Sequence, residues 1–237
     1  MGLTNHSVGI KAVDSGLVIK KQTSEDKVVA LAGNPNVGKS TVFNGLTGLN
    51  QHTGNWPGKT VTNAQGHCAT KQQSYVMVDI PGTYSLMAHS AEEEVALNFI
   101  CFGDPDAVVV VCDATCLERN LNLVLQTIEI SPRVVVCVNL MDEAKRKNIQ
   151  IDLALLSKRL GVPVVGTAAR KKKSLGGLMN ALDAVVCAPT SDAAYTVRYP
   201  DALERAIAQL EPPIKKACGE RLNSRQSMSP YIRILLL

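Results

Sequence analysis

Apolar residues along the chain fall into two kinds of segment. Residues 27–32, 75–80, 107–113, 134–139 and 162–167 are short, nearly continuous apolar runs rich in valine, and most end at glycine, proline, asparagine or aspartate. Such runs predict strands buried on both faces. Between them, residues 39–47, 92–102, 120–130, 152–160 and 175–186 carry apolar positions three and four apart, the spacing of helices with one buried stripe. Val42, Phe43 and Leu46 share one face of the first helix, and Gly48 is a natural stop for it. Residues 49–63 hold Gly54, Pro57 and Gly58 without a long apolar pattern and read as a loop. Strands alternating with helices predict an α/β fold with a mostly parallel sheet and helices on both faces, in which a ligand sits beyond the carboxyl ends of the strands.

Outside this pattern the chain changes character. Residues 1–26 are polar and weakly patterned and read as a flexible arm, within which a short amphipathic helix over 7–18 is compatible with the spacing. Residues 27–190 form the α/β domain, and 189–196 resemble a linker. Residues 200–210 read as a helix broken by Pro212-Pro213, with a second helix from Ile214, so 196–237 form a small helical subdomain that ends in an apolar tail over 232–237.

Composition refines this further. Hydrophobic residues make up 46% of the 237-residue chain but aromatics only 4%, so valine, leucine, isoleucine and alanine must fill the core. The net charge of +4 is too mild to argue for nucleic-acid binding. The basic runs Lys145-Arg146-Lys147 and Arg170-Lys171-Lys172-Lys173 read as solvated loops, with an anionic partner or a membrane surface as the lesser reading. The seven cysteines include no C-x-x-C pair and read as reduced thiols of a cytosolic compartment. No secretory signal opens the chain, and no run reaches the roughly 18 apolar residues that span a bilayer. The four histidines have no metal-ligand spacing. Trp56, the single tryptophan, reads as either a surface-packed loop aromatic or a partner contact.

Candidate chemistry sits at the strand ends. Gly33-Asn34-Pro35-Asn36-Val37-Gly38-Lys39-Ser40 matches G-x-x-x-x-G-K-S between a strand and a helix, with Thr41 following. Backbone N–H groups at a helix N-terminus cradle phosphate, Lys39 reaches the β- and γ-phosphates, and Ser40 places its hydroxyl on Mg²⁺. Asp79-Ile80-Pro81-Gly82 has the D-x-x-G spacing of a γ-phosphate sensor: Asp79 holds Mg²⁺ through water, and Gly82 offers its N–H. Thr60, in preference to Thr62, is expected to give a hydroxyl to the same ion. Asn139-Leu140-Met141-Asp142 ends the 134–139 strand, and the Asp142 carboxylate can accept from both N1 and N2 of guanine, a donor pair that adenine lacks. Thr167-Ala168-Ala169 after Gly166 stands where a backbone contact to the guanine oxygen is made. Leu140 replaces the lysine of the common N-K-x-D form, which predicts weaker nucleotide affinity.

In order and placement these four elements resemble GTPases of the translation-factor class over roughly residues 27–187. Three strings narrow the resemblance: Gly33-Asn34-Pro35-Asn36, then Gly54-Asn55-Trp56-Pro57-Gly58-Lys59-Thr60-Val61, then Asp79-Ile80-Pro81-Gly82-Thr83-Tyr84-Ser85-Leu86. With Asn139-Leu140-Met141-Asp142, they are similar to the N-terminal cytosolic domain of the ferrous iron transport protein B family. That resemblance implies a P-loop GTPase fold followed by a helical subdomain, on the cytoplasmic face of a prokaryotic membrane, with GTP or GDP as ligand and the transporter's membrane domain as partner. It implies nucleotide contacts from residues 33–41, 58–62, 79–82, 139–142 and 166–168. Near Ser227 the chain departs from the family pattern.

Thr83 follows Gly82 where many GTPases carry the glutamine that orients water, so intrinsic hydrolysis is expected to be slow. Asn36 suggests a substitute, because asparagine at that position in similar GTPases helps bind K⁺ beside the phosphates. The expected catalytic set is therefore Lys39, Thr60, Gly82 and Asn36. A ribosome- or RNA-associated GTPase is the alternative, though residues 196–237 carry no RNA-binding motif and no nucleic-acid partner is expected. Homo-oligomerisation stays open.

Overall fold

The computed structural model describes residues 17–48, 51–56, 61–86 and 90–188, together with Asp201, Arg205 and Gln209. Its sheet has seven strands: β1 (Lys27–Gly33), β2 (Gln51–Asn55), β3 (Thr62–Ala69), β4 (Ser74–Asp79), β5 (Ala107–Asp113), β6 (Val134–Asn139) and β7 (Val164–Gly166). They lie in the order β2-β3-β4-β1-β5-β6-β7. β4, β1, β5, β6 and β7 are mutually parallel, and β2 and β3 add an antiparallel edge. The helices are α1 (Lys39–Thr47), α2 (Ala91–Phe102), α3 (Leu117–Ile130), α4 (Met141–Arg146), α5 (Leu153–Leu160) and α6 (Gly176–Cys187).

Alternation along each strand divides the core. Val29, Leu31, Tyr75, Met77, Val109, Val111, Val135 and Cys137 face α1 and α6, meeting Val42, Phe43, Leu178 and Leu182. Val28, Ala30, Val76, Val78, Val108, Val110, Val136 and Val138 face the other way and pack with Phe99, Leu123, Val124, Ile128 and Leu160. Both faces are therefore dry, which is why these strands read as unbroken apolar runs. Side-chain caps fix two helix starts: Ser90 accepts from the Glu93 N–H at the head of α2, and Asp152 from the Leu155 N–H at the head of α5. α1 ends at Gly48 in the left-handed conformation.

Four expectations are corrected. The 49–63 loop contains β2 and runs into β3. These strands pair antiparallel and are polar, with Asn63 and Gln65 buried, so no apolar alternation announces them. α4 was not expected, being six residues long and too short to show a helical period. Residues 17–26 are packed on the domain: Leu17 and Ile19 are each 4% exposed, and the Gln65 amide accepts from the Lys20 N–H and donates to the Val18 carbonyl, both at 3.0 Å. Trp56 is 2% exposed and meets Phe99 edge-on at 5.4 Å, so it is a core residue. The 7–18 helix falls almost wholly outside the described residues; Leu17 and Val18, which are described, are not helical. Of the 200–210 helix, Asp201, Arg205 and Gln209 are described and helical. No described helix is long and apolar enough to cross a membrane.

Candidate functional site

The parallel register brings the polar strand ends together. Asp113 at the end of β5 pairs directly with Asn139 at the end of β6. Between them and the β1–α1 loop lies a cleft of about 370 Å³, lined by Asn36, Gly38, Thr41, Asp113 and Thr115, by Asn139, Leu140, Asp142, Glu143 and Lys147, and by Ala168, Ala169 and Arg170.

Asn139 is buried and ties three segments to one another. Its Nδ2 donates to the Val37 carbonyl of the β1–α1 loop at 3.0 Å. Its Oδ1 accepts from the Thr167 hydroxyl at 3.2 Å and from the Ala169 N–H at 3.0 Å. Gly38 has φ 83°, and a Cβ there would come 2.5 Å from Asn139 Nδ2, so glycine is required by conformation and by space. Thr167 is fully buried: its carbonyl accepts from the Met141 N–H at 3.0 Å, and its hydroxyl lies 3.2 Å from Cys137 Sγ. Burial pushes the Cys137 thiol up to about 11, against the pull of the Thr167 contact, so it is neutral at physiological pH. Thr167 and Gly166 thus support the cleft from behind, Gly166 packing against Leu153 and Met141. The Ser174 hydroxyl braces the loop, bonding both the N–H and the carbonyl of Ala168. Leu140 holds a left-handed φ of 61° and lines the cleft with Asp142.

At the glycine-rich end of the cleft, Asn36 is exposed with φ 66°, a conformation that asparagine tolerates better than most residues. Lys39 donates to the Asp79 carboxylate and, at 2.6 Å, to the Ile80 carbonyl. Burial pushes the Asp79 carboxyl above the usual carboxylate range, and the Lys39 ammonium pulls it back only in part. Ser40 is exposed on the first turn of α1. Ile80 is buried, half-exposed Pro81 follows it, and Gly82 lies against Pro35, where an added Cβ would approach Pro35 Cα to 3.3 Å. Asn34 is buried, its Nδ2 at 3.5 Å from the Arg119 carbonyl. Val61 points into the core, and its carbonyl accepts from the Trp56 N–H. Thr62 opens β3 opposite Asn55. Gly58, Lys59 and Thr60 lie outside the described residues. Asp113, Thr115, Glu143, Lys147 and Arg170 line the cleft without having been anticipated; for Asp113 the usable signal was a carboxylate at the carboxyl end of a parallel strand.

A family model described as ferrous iron transport protein B matches residues 27–182. The chain belongs to the ferrous iron transport protein B family. The Fe(2+) transporter FeoB of Salmonella typhimurium is 42% identical over 159 residues, which is 65% of this chain and 21% of that protein. The Escherichia coli K12 transporter shows the same identity and coverage, so the chain spans about a fifth of the length of these curated relatives. Among solved structures, the G domain of T. maritima FeoB is 39% identical with a TM-score of 0.63, covering 66% of this chain and 96% of that one. The cytosolic domain of L. pneumophila FeoB is 32% identical with a TM-score of 0.77, covering 89% and 80%. The fold is that of the family's P-loop GTPase domain.

In this family member the segment after Gly82 is anchored on α3. The Arg119 guanidinium sits 4.4 Å from the Tyr84 ring centroid, Asn122 donates to the Tyr84 carbonyl at 3.4 Å, and the Gln126 side chain accepts from the Leu86 N–H at 2.8 Å. Thr83 is 2% exposed, and its hydroxyl is engaged with the Ser85 carbonyl and the Glu93 carboxylate. It points no free hydroxyl toward the cleft. Among the described residues, no group of three or more His, Cys, Asp or Glu side chains is arranged to hold a metal.

Proposed function

We propose that this chain binds GTP and hydrolyses it slowly to GDP and phosphate, and that it is the cytosolic regulatory module of a prokaryotic ferrous iron uptake transporter. The main support is the Asn139 linkage, which joins the phosphate loop, the Asp142 segment and the Ala168 loop around one cleft. Relatives solved in GDP and GMPPNP forms support a guanine nucleotide as the ligand.

Lys39 would exchange the Asp79 carboxylate for phosphate oxygens, and Asp142 would select guanine. Ser40, Asp79 and Thr60 make an all-oxygen donor set suited to Mg²⁺, with Ser40 accessible and Asp79 adjacent to the lysine. When bound, the ion neutralises charge on the β- and γ-phosphates. The Gly82 N–H is suited to the γ-phosphate. The engagement of Thr83 elsewhere supports slow intrinsic turnover, and the exposed Asn36 at the cleft is suited to hold K⁺, a cation that would stabilise transition-state charge. The remainder of the transporter would be its partner and Fe²⁺ the cargo.

The test is multiple-turnover phosphate release from GTP with Mg²⁺, in KCl and in NaCl. The expected result is slow release that is faster in KCl and falls at least about 100-fold in Lys39→Ala. Equal rates in the two salts overturn the K⁺ role, and wild-type release no faster than that of Lys39→Ala overturns the enzyme assignment.

A further inference from the structure

Charge is strongly polarised along this chain. Residues 145–173 carry nine basic side chains and a single acidic one, Asp152, whereas the whole chain is only +4; everything outside this stretch is therefore net negative. The Asp152 carboxylate is occupied in capping α5, and Arg146 pairs with Glu143. The other eight cations form no ion pair among the described residues. Lys145, Lys147, Lys158, Arg159 and the whole of Arg170-Lys171-Lys172-Lys173 are exposed.

The fold gathers these residues along one edge of the sheet, with Lys158 and Arg159 near the amino end of β7 and Lys147 and Arg170 at the cleft beyond its carboxyl end. β7 closes the sheet, and α5 packs on it. Lys147 and Arg170 line the same cleft, so the two basic runs meet at its rim. Among the described residues, two of the four exposed large hydrophobic side chains fall inside the same stretch, Ile149 at 36% and Leu155 at 50% exposure. Leu155, Lys158 and Arg159 stand three and four positions apart, on one face of α5. No aromatic residue occurs between 141 and 188, so the surface lacks the stacking platforms on which single-stranded nucleic acid is held. Unpaired cations interspersed with isolated aliphatic side chains are the chemistry that meets anionic headgroups while inserting shallow apolar anchors.

We infer that the β7 edge, carrying Lys145, Lys147, Ile149, Leu155, Lys158, Arg159 and residues 170–173, docks on anionic phospholipid headgroups. In that pose the Asp142 end of the cleft lies against the membrane surface. The transporter reading supplies only the presence of a membrane, and the docking itself requires neither nucleotide nor hydrolysis.

The test is flotation of the full chain with vesicles of pure phosphatidylcholine and with vesicles containing about 30% phosphatidylglycerol at about 0.1 M salt. The expected result is binding to the anionic vesicles alone, lost as salt is raised. Replacing Lys171, Lys172 and Lys173 by glutamine lowers the partition constant about 100-fold, while GDP affinity in free solution and the thermal midpoint stay unchanged. Lys20→Gln with Lys21→Gln, exposed lysines on the far side of the sheet sequence, leaves partition unchanged. Equal binding to both vesicle types, no binding to either, or indifference to the 171–173 substitution overturns the proposal, as does RNA retention that depends on those lysines without vesicle binding. Because GDP affinity is measured separately, failure of docking and failure of nucleotide binding are told apart.

Discussion

The two halves of the sheet are held in different ways. In the parallel half, β4-β1-β5-β6-β7, strand interiors are apolar on both faces and polar side chains wait at the carboxyl ends, where Asn139 joins three segments. In the antiparallel edge, polar residues lie inside the strand: Asn63 and Gln65 are buried, and Gln65 is satisfied by the backbone of residues 18–20. Burial of valine fixes the first half, and a hydrogen-bonded strap fixes the second. The side of the domain that carries the cleft is thus held by apolar packing, whereas the antiparallel edge relies also on a few specific polar contacts.

The contrast can be broken from either side. Asn139→Ala should have the largest effect, since it removes one buried donor and one buried acceptor, leaves the Val37 carbonyl and the Ala169 N–H without the amide, and leaves the Thr167 hydroxyl with only Cys137 Sγ. A loss of about 3 kcal/mol is expected, measured by denaturant unfolding. Asp26→Asn probes the strap. Burial pushes the Asp26 carboxyl up, but hydrogen bonds from Ser74, from the Thr23 hydroxyl and N–H, and from the Gln22 N–H outweigh it and hold it well below the usual carboxylate range. A depressed folded-state pKa contributes stability above the unfolded value of about 4 and loses it as pH falls through the folded value. The variant should therefore be about 2 kcal/mol less stable at neutral pH, with the gap to wild type closing below about pH 4. Gln65→Ala should have the smallest effect, about 1 kcal/mol. Its signature is local: faster hydrogen exchange at the Lys20 amide, with β5 and β6 amides unaffected.

The same contrast explains what was legible in the sequence. β5 and β6 are bounded as their valine runs predict, and α1 stops at Gly48, because burial on both faces and a left-handed cap leave direct marks on residue type. β2 and β3 left no such mark, since β2 is an edge strand and the buried positions of β3 include Asn63 and Gln65, with only the small Ala64 and Cys68 against the apolar core. Trp56 looked like a loop aromatic for the same reason, its burial depending on Phe99, more than forty positions away in the sequence. The glycine-rich and Asn139–Asp142 segments were legible as a candidate site because the proposed phosphate and guanine chemistry asks for particular groups at fixed spacing, and the fold brings both segments to one cleft. Asp113, Lys147 and Arg170 could not, because the β5–β6 register and the loops after β6 and β7 bring them to the cleft. The roles of Thr83 and Asn139 became clear only with hydrogen-bond partners: one hydroxyl is turned away from the cleft, and one amide holds it together.

Guanine selection by Asp142 within the Asn139-braced cleft is the central claim, and one measurement tests it directly. Competition binding of GTP and xanthosine triphosphate is compared for wild type and Asp142→Asn. Wild type should prefer GTP. The variant should lose GTP affinity and gain xanthosine triphosphate affinity, because the exocyclic N2 donor is replaced by an oxygen acceptor that the asparagine amide can meet. The preference ratio should move by at least about 100-fold. An unchanged ratio in a folded variant would contradict the assignment of Asp142 and, with it, the cleft as a guanine site.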